Sequence, residues 1–147
     1  MSVDVSTEIE IDRPRAEVAA FASDPDNATA WYRNIEAVEW ETPRPVAVGS
    51  RVAFVARFLG RRLAYTYEFT ELTADRLVMR TAQGPFPMQT TYVWREAGPA
   101  RTHMTLRNTG APSGFPRLLA PLMAPAMRRA NTKDLRQLKA LLEGRHA

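Results

Sequence analysis

The chain has 147 residues, with no cysteine and two histidines, so few of its side chains can do chemistry. Without thiolates there is no disulfide scaffold, thiol nucleophile, iron–sulfur cluster or cysteine zinc site. A histidine is the commonest general base. His103 falls on the solvent phase of its strand, however, and His146 lies in a tail expected to fray. Two widely separated histidines do not supply the three or four ligands that a metal needs. Dinucleotide-binding, phosphate-cradling and nucleophile-elbow motifs are absent, and neither a metal nor a cofactor is expected. The remaining polar groups suited to orienting a small molecule are the hydroxyls of Tyr65, Tyr67, Tyr92 and Thr90, two indole N–H groups, and Asn131 and Asp134 on one helix. Asp134 is read first as a solvated helix charge, and it is the best candidate if a carboxylate is buried. Arg57 and Arg95 would meet an anionic ligand head only if a bulge turned them inward.

These groups need elements to hold them. Residues 3–12 alternate Val3, Val5, Thr7, Ile9 and Ile11 with polar neighbours, the period of two of a strand with one wet face. Pro14 suits a first helical turn, and Val18, Phe21 and Ala22 form one stripe, predicting a helix over 14–23. A second short helix is expected from near Asp26, carrying Trp31 inward. Turn signals then delimit six strands near 35–42, 51–58, 63–72, 76–82, 87–96 and 101–108, joined by short loops as an antiparallel meander. After Pro112 the pattern turns helical. Pro116, Pro121 and Pro125 disturb its entry, and an unbroken helix is expected from about Ala126 to Glu143, with Leu135, Leu138, Leu141 and Leu142 on its apolar stripe.

A strand with one buried face cannot slip by a residue without exposing its apolar set, so the alternation names the inner wall. It predicts a lining of Trp40, Phe54, Phe58, Tyr65, Tyr67 and Phe69 from the earlier strands. Met79, Met88, Thr90, Tyr92, Trp94 and Met104 follow from the later ones, and Asn131 from the helix. No ionisable side chain points inward from the six-strand meander in this phasing. Two readings follow: a pocket that grips a flat or hydrophobic molecule by aromatic faces, or a solid core of the same rings. The pocket is favoured because inward tyrosines and tryptophans packed solid would each need a hydrogen-bond partner. The apolar loop 82–88 and the segment 114–119 are either packed connections or the rim and gate of that pocket.

The order of elements implies a curved antiparallel sheet closing on one amphipathic helix, and the residues that carry it resemble the SRPBCC (START/Bet v 1-like) superfamily, in its polyketide cyclase/dehydrase-like branch. The resemblance rests on Ile9-Glu10-Ile11-Asp12-Arg13-Pro14 leading into Val18 and Phe21, and on Ser23-Asp24-Pro25-Asp26-Asn27 before Trp31. Val48-Gly49-Ser50-Arg51-Val52 and the terminal run Leu135 to Glu143 complete it. It covers essentially the whole chain and implies an α+β helix-grip fold. That fold is a curved seven-stranded antiparallel sheet around a long C-terminal helix, with two short helices after the first strand, as one domain over 1–147. It also implies one cavity put to many uses. The preferred expectation is binding of a hydrophobic, aromatic or lipid-like small molecule. The alternative is a polyketide cyclase or dehydrase in which Tyr65, Tyr67 and Tyr92 polarise carbonyls of an oriented substrate.

Composition bounds the rest. With 45% hydrophobic and 24% charged residues the chain is an ordinary globular one. Residues 1–94 carry 10 arginines against 13 acidic residues, whereas 95–147 carry 10 basic against 3 acidic, placing the basic excess in the C-terminal third. No aromatics interleave with it as a single-strand nucleic-acid binder would need, so no nucleic-acid partner is expected. A third class remains, an interaction module using the basic helix or the apolar rim. With no N-terminal signal pattern and no run of about 20 apolar residues, the expectations are a cytoplasmic location and no integral membrane segment. A homodimer through an uncovered sheet edge stays open.

Overall fold

The N-terminal alternation is realised as strand β1 (Val3–Ile11), its apolar residues inward and its acidic ones outward. The computed structural model describes residues 2–144, so His146 lies outside the described residues. Helix α1 (Arg15–Ser23) begins after Pro14 and buries Val18 and Ala22. The Asp24 carboxylate then accepts the Asp26 backbone N–H and starts a 3-10 turn (Pro25–Asn27) that runs into α2 (Ala28–Trp31). The strands β2 (Ile35–Trp40), β3 (Arg51–Phe58), β4 (Arg61–Leu72), β5 (Arg76–Gln83), β6 (Met88–Gly98) and β7 (Arg101–Gly110) follow, then a 3-10 turn (Arg117–Leu119) and α3 (Ala120–Gly144).

All seven strands form one antiparallel sheet in the order β1-β7-β6-β5-β4-β3-β2, curled around α3 as a helix-grip fold. Register shifts lie between Ile35 and Ala37, between Thr66 and Tyr67, between Phe69 and Glu71, and between Glu96 and Gly98. Such bulges bend strands locally. They do not invert the inner face: Val52, Phe54, Leu77, Met79, Tyr92, Trp94, Met104 and Leu106 are all buried.

The long helix starts six residues earlier than its sequence pattern suggests, at Ala120, with Pro125 inside it. Pro125 lacks the N–H that would bond Pro121, and a proline there ordinarily breaks a helix. Both prolines are exposed, so water can take the carbonyl left over, while Met123 on the opposite side is buried and holds the turn in place. No helix among the described residues is long and apolar enough to cross a membrane.

The C-terminal half of α3 is tied down. Arg13 donates from Nε to the Leu142 carbonyl at 3.1 Å and from Nη2 to that of Glu143 at 2.8 Å, a cation against the negative end of the helix dipole. The Asp12 N–H donates to the Glu143 carboxylate at 2.9 Å. Along the edge of β1, Arg128 Nη1 donates to the Ser6 carbonyl at 3.0 Å and Lys139 Nζ to the Glu10 carbonyl at 2.8 Å. Side chains of α3 thereby take up backbone acceptors that an edge strand leaves unpaired.

Candidate functional site

Beneath the last two turns of α3 the interior is solid: Ile11, Val18, Trp94, Met104, Leu138 and Leu142 are buried together. Toward the N-terminal half of α3 the sheet and helix separate and leave a cavity of about 150 Å³. Its wall comes from β3 to β7, from Trp31 and Tyr32 at the end of α2, and from Met123, Met127, Ala130, Asn131 and Asp134 on α3. A dry cavity of this size takes up a benzene-sized solute. The rings inside pack edge to face or offset: Tyr65 lies 5.0 Å from Tyr67 and 5.7 Å from Phe54, and Tyr92 lies 5.7 Å from Trp31, all within the range of favourable ring pairs.

Two polar clusters interrupt this wall. In one, Thr90 Oγ1 donates to Asn108 Oδ1 at 2.6 Å and lies 2.8 Å from the Tyr67 hydroxyl. Thr90 has one proton and gives it to Asn108, so Tyr67 donates to Thr90 and the chain of bonds has a fixed direction. Burial pushes the Tyr67 hydroxyl up to about 12, so it stays protonated.

The other cluster is built by Tyr32, Tyr92, Asn131 and Asp134. The Tyr32 and Tyr92 hydroxyls are hydrogen-bonded to each other. One donates, so the proton of the other is left free for a ligand. Burial, then the neighbouring Tyr92 and Asp134, hold the Tyr32 hydroxyl well above its usual range, and burial does the same for Tyr92. Asp134 is 2% exposed, and its Oδ1 accepts the Arg33 backbone N–H at 3.0 Å. Burial raises its pKa to about 6, opposed by that single hydrogen bond and the Arg33 charge. One turn earlier Asn131 is 5% exposed, and its Nδ2 has no partner, nor does the indole N–H of Trp31. An unpaired buried donor costs about 1–3 kcal/mol, so both are groups that a ligand oxygen would satisfy.

Three rings cluster at one side of the cavity. Phe58 and Phe86 line the cavity, and Phe115 packs on both at 6.1 and 6.2 Å. Arg61 holds that ring: its guanidinium sits 5.2 Å from the Phe115 centroid and donates to the Ser113 carbonyl. Gly114 between them has φ +80°, and a Cβ there would overlap the Arg61 guanidinium, so a side chain at this position would displace the arginine.

Ten of the thirteen expected lining residues border the cavity: Phe54, Phe58, Tyr65, Tyr67, Phe69, Met79, Met88, Thr90, Tyr92 and Asn131. Trp40, Trp94 and Met104 do not. Trp40 is drawn to the outside, its indole N–H bonded to Asp26 at 2.9 Å and its ring under Arg44, whereas Trp94 and Met104 fill the solid end. Asp134 turns inward rather than standing as the solvated helix charge that its sequence position favours, because the Arg33 backbone N–H gives its carboxylate a partner inside. Arg57 reaches the cavity rim but pairs with Glu36 at 2.5 Å, and Arg95 is exposed. His103 stays on the outer face beside Glu8. Among the described residues no cluster of metal-ligating side chains occurs.

Sequence reasoning missed Tyr32 and Asn108 as site residues. A four-residue helix has no periodicity with which to phase Tyr32. Asn108 was legible, two residues beyond Leu106 on the inward phase, but its polarity hid it.

The sequence matches a family model described as polyketide cyclase / dehydrase and lipid transport over residues 2–143. No curated protein matches it. Among solved structures, the ZhuI aromatase/cyclase of Streptomyces sp. R1128 superposes with a TM-score of 0.82 at 14% identity, covering 100% of this chain and 97% of that one. A START superfamily protein of Mycobacterium smegmatis gives 0.81 at 13% identity, over 96% and 97%. A protein of Thermus thermophilus gives 0.80 at 20% identity, over 99% and 100%. At these identities the superpositions establish a shared fold.

Proposed function

The chain belongs to the polyketide cyclase / dehydrase and lipid transport family, and on that premise we propose that it binds a neutral hydrophobic small molecule, an aromatic ring bearing an acceptor oxygen, between the sheet and α3. The observation that carries this reading is the coincidence of an apolar cavity with unpaired donors. The side chains of Trp31 and Asn131 keep N–H groups without partners, and the Tyr32–Tyr92 pair has one proton to spare. An acceptor oxygen of a ketone or phenol satisfies them. An anionic head is disfavoured, because Asp134 shares the wall and Arg57 at the rim is neutralised by Glu36. At about 150 Å³ the cavity fits one ring, so a larger ligand displaces wall side chains such as Phe58 or Phe86. Phe54, Tyr65, Tyr67, Met79 and Tyr92 would form the ring contacts.

Native mass spectrometry of freshly purified protein, with small-molecule analysis of a denatured extract, tests this directly, together with titration of neutral phenols and aryl ketones followed by tryptophan fluorescence. Saturable one-to-one binding, abolished by Ala130→Phe in a protein that still folds, is the expected result. Absence of saturable binding across the panel, with no co-purifying mass, would sink the proposal.

Asp134 favours a second reading, cyclisation of a poly-β-keto chain. A carboxylate with a pKa of about 6 is suited to take a proton from a carbon flanked by two carbonyls. The resulting enolate carbon would bond to a second carbonyl, whose oxygen takes a tyrosine proton. The proton on Asp134 restores that tyrosine, and water leaves when Asp134 takes the second α-proton and passes it to the departing hydroxide. Asp134→Asn that abolished turnover while leaving substrate binding intact would support it, and unchanged turnover would dismiss it.

A further inference from the structure

We propose that the outward face of α3, with the turn that precedes it, docks onto an anionic lipid bilayer. Among the described residues three large aliphatic side chains are strongly exposed, and two of them, Leu118 at 88% and Leu122 at 52%, stand four positions apart at the start of this helix. Pro125, Arg129, Lys133 and Arg136 continue the exposed stripe at helical spacing. Arg129, Lys133 and Arg136 form no ion pair among the described residues, and exposed Arg33 beside Lys133 and Arg136 widens the basic surface.

No acidic side chain answers these cations. Between Arg117 and Gly144 there are two, and both are engaged elsewhere: Asp134 is buried, and Glu143 is bound to Lys139 and the Asp12 N–H. The shallow surfaces on either side of the cations are lined by Ala124, Pro125, Arg128 and Thr132, and by Thr29, Ala30 and Gln137, again without an acid.

An apolar start followed by a row of long cationic side chains is the arrangement of an interfacial segment, with leucines at the acyl boundary and ammonium and guanidinium groups reaching phosphates. A nucleic-acid partner is disfavoured because no exposed ring stands among the cations to stack on a base. An acidic protein surface would answer the charges but not the two leucines, which stand proud of the fold rather than forming a groove. The docked orientation also places the cavity beside the apolar phase, because Met123 and Met127 on the other side of the same helical turns line it.

Co-sedimentation of the full chain tests this without reference to cavity occupancy. The vesicles are phosphatidylcholine alone, and phosphatidylcholine mixed with an equal amount of phosphatidylglycerol. Binding to the mixed vesicles, weakened by salt and absent on phosphatidylcholine alone, is expected. Each basic residue removed should weaken it roughly fivefold, so the triple variant Arg129→Ser, Lys133→Ser, Arg136→Ser should lose about a hundredfold. Leu118→Ser with Leu122→Ser should lose about tenfold by reducing the inserted apolar area. All five side chains are exposed, and an unchanged melting temperature verifies that each variant folds. No binding to the mixed vesicles, equal binding to both kinds, or triple-variant binding equal to wild type overturns the proposal. Retention of an acidic protein or an oligonucleotide by the same cations, without vesicle binding, overturns it too.

Discussion

The two halves of α3 face the same sheet and do opposite work. From Leu135 onward the helix is packed solid on β1, with its last carbonyls held by Arg13 and its side chains bonded to Asp12 and Glu10. Before that point it borders a hollow, carries Pro121 and Pro125, and presents flexible methionines and two polar side chains to the interior. Well-packed leucines lose their full contact energy when cut back, whereas residues beside empty space do not. One end of the helix therefore supplies the stability that lets the other keep unpaired donors and a raised pKa.

Paired truncations test that division most severely. Leu138→Ala should cost about 3 kcal/mol and Met127→Ala at most about 1 kcal/mol in urea unfolding, and equal losses would erase the distinction between the ends. Asp134→Asn probes the hollow end by pH. The Asp134 pKa is raised from 3.8 to about 6 on folding, so the native state binds the extra proton and wild-type stability falls as pH rises from about 4 to 6. The variant lacks that loss and should be about 3 kcal/mol more stable than wild type at pH 8, with the gap closing below pH 4. Lowered pKa values at Asp4, Asp26 and Glu143 act the other way, and they cancel in the difference between the two proteins. Arg13→Ala should cost about 1–2 kcal/mol and speed amide exchange in the last turn of α3 while leaving ligand affinity unchanged. Gly114→Ala should cost about 1 kcal/mol from its positive φ and, by dislodging Arg61 from Phe115, accelerate ligand entry in stopped-flow fluorescence.

Much of this was legible before any coordinates. Alternation fixed the inner face because a one-residue slip exposes a whole apolar set, and it found nine of the cavity residues. It failed where orientation depends on something other than period. Trp40 is on the right phase but near a strand end, where Asp26 and Arg44 compete for its indole. Trp94 and Met104 share the inward phase with Tyr92, and no local signal says which stretch of a strand faces helix and which faces space. The proline-rich start of α3 read as a disturbed entry because local propensity does not register the burial of Met123. The unpaired amide of Asn131 is a property of the assembled site alone.

The bonds from Arg128 and Lys139 to the carbonyls of Ser6 and Glu10 bear on how copies of this chain meet in solution. An exposed strand edge is a template for growth of a sheet from one molecule into the next. Here the long β1 border is stoppered by the helix it grips, which leaves β2 as the other border of the sheet. That strand is six residues long, has a bulge at its start and is dotted with Glu36 and Glu39. Glu36 is held by Arg57, so two copies aligned edge to edge would bring the Glu39 carboxylates into one seam. Fibril-like growth is thus discouraged by sequestration on one side and by a short, irregular, charged border on the other.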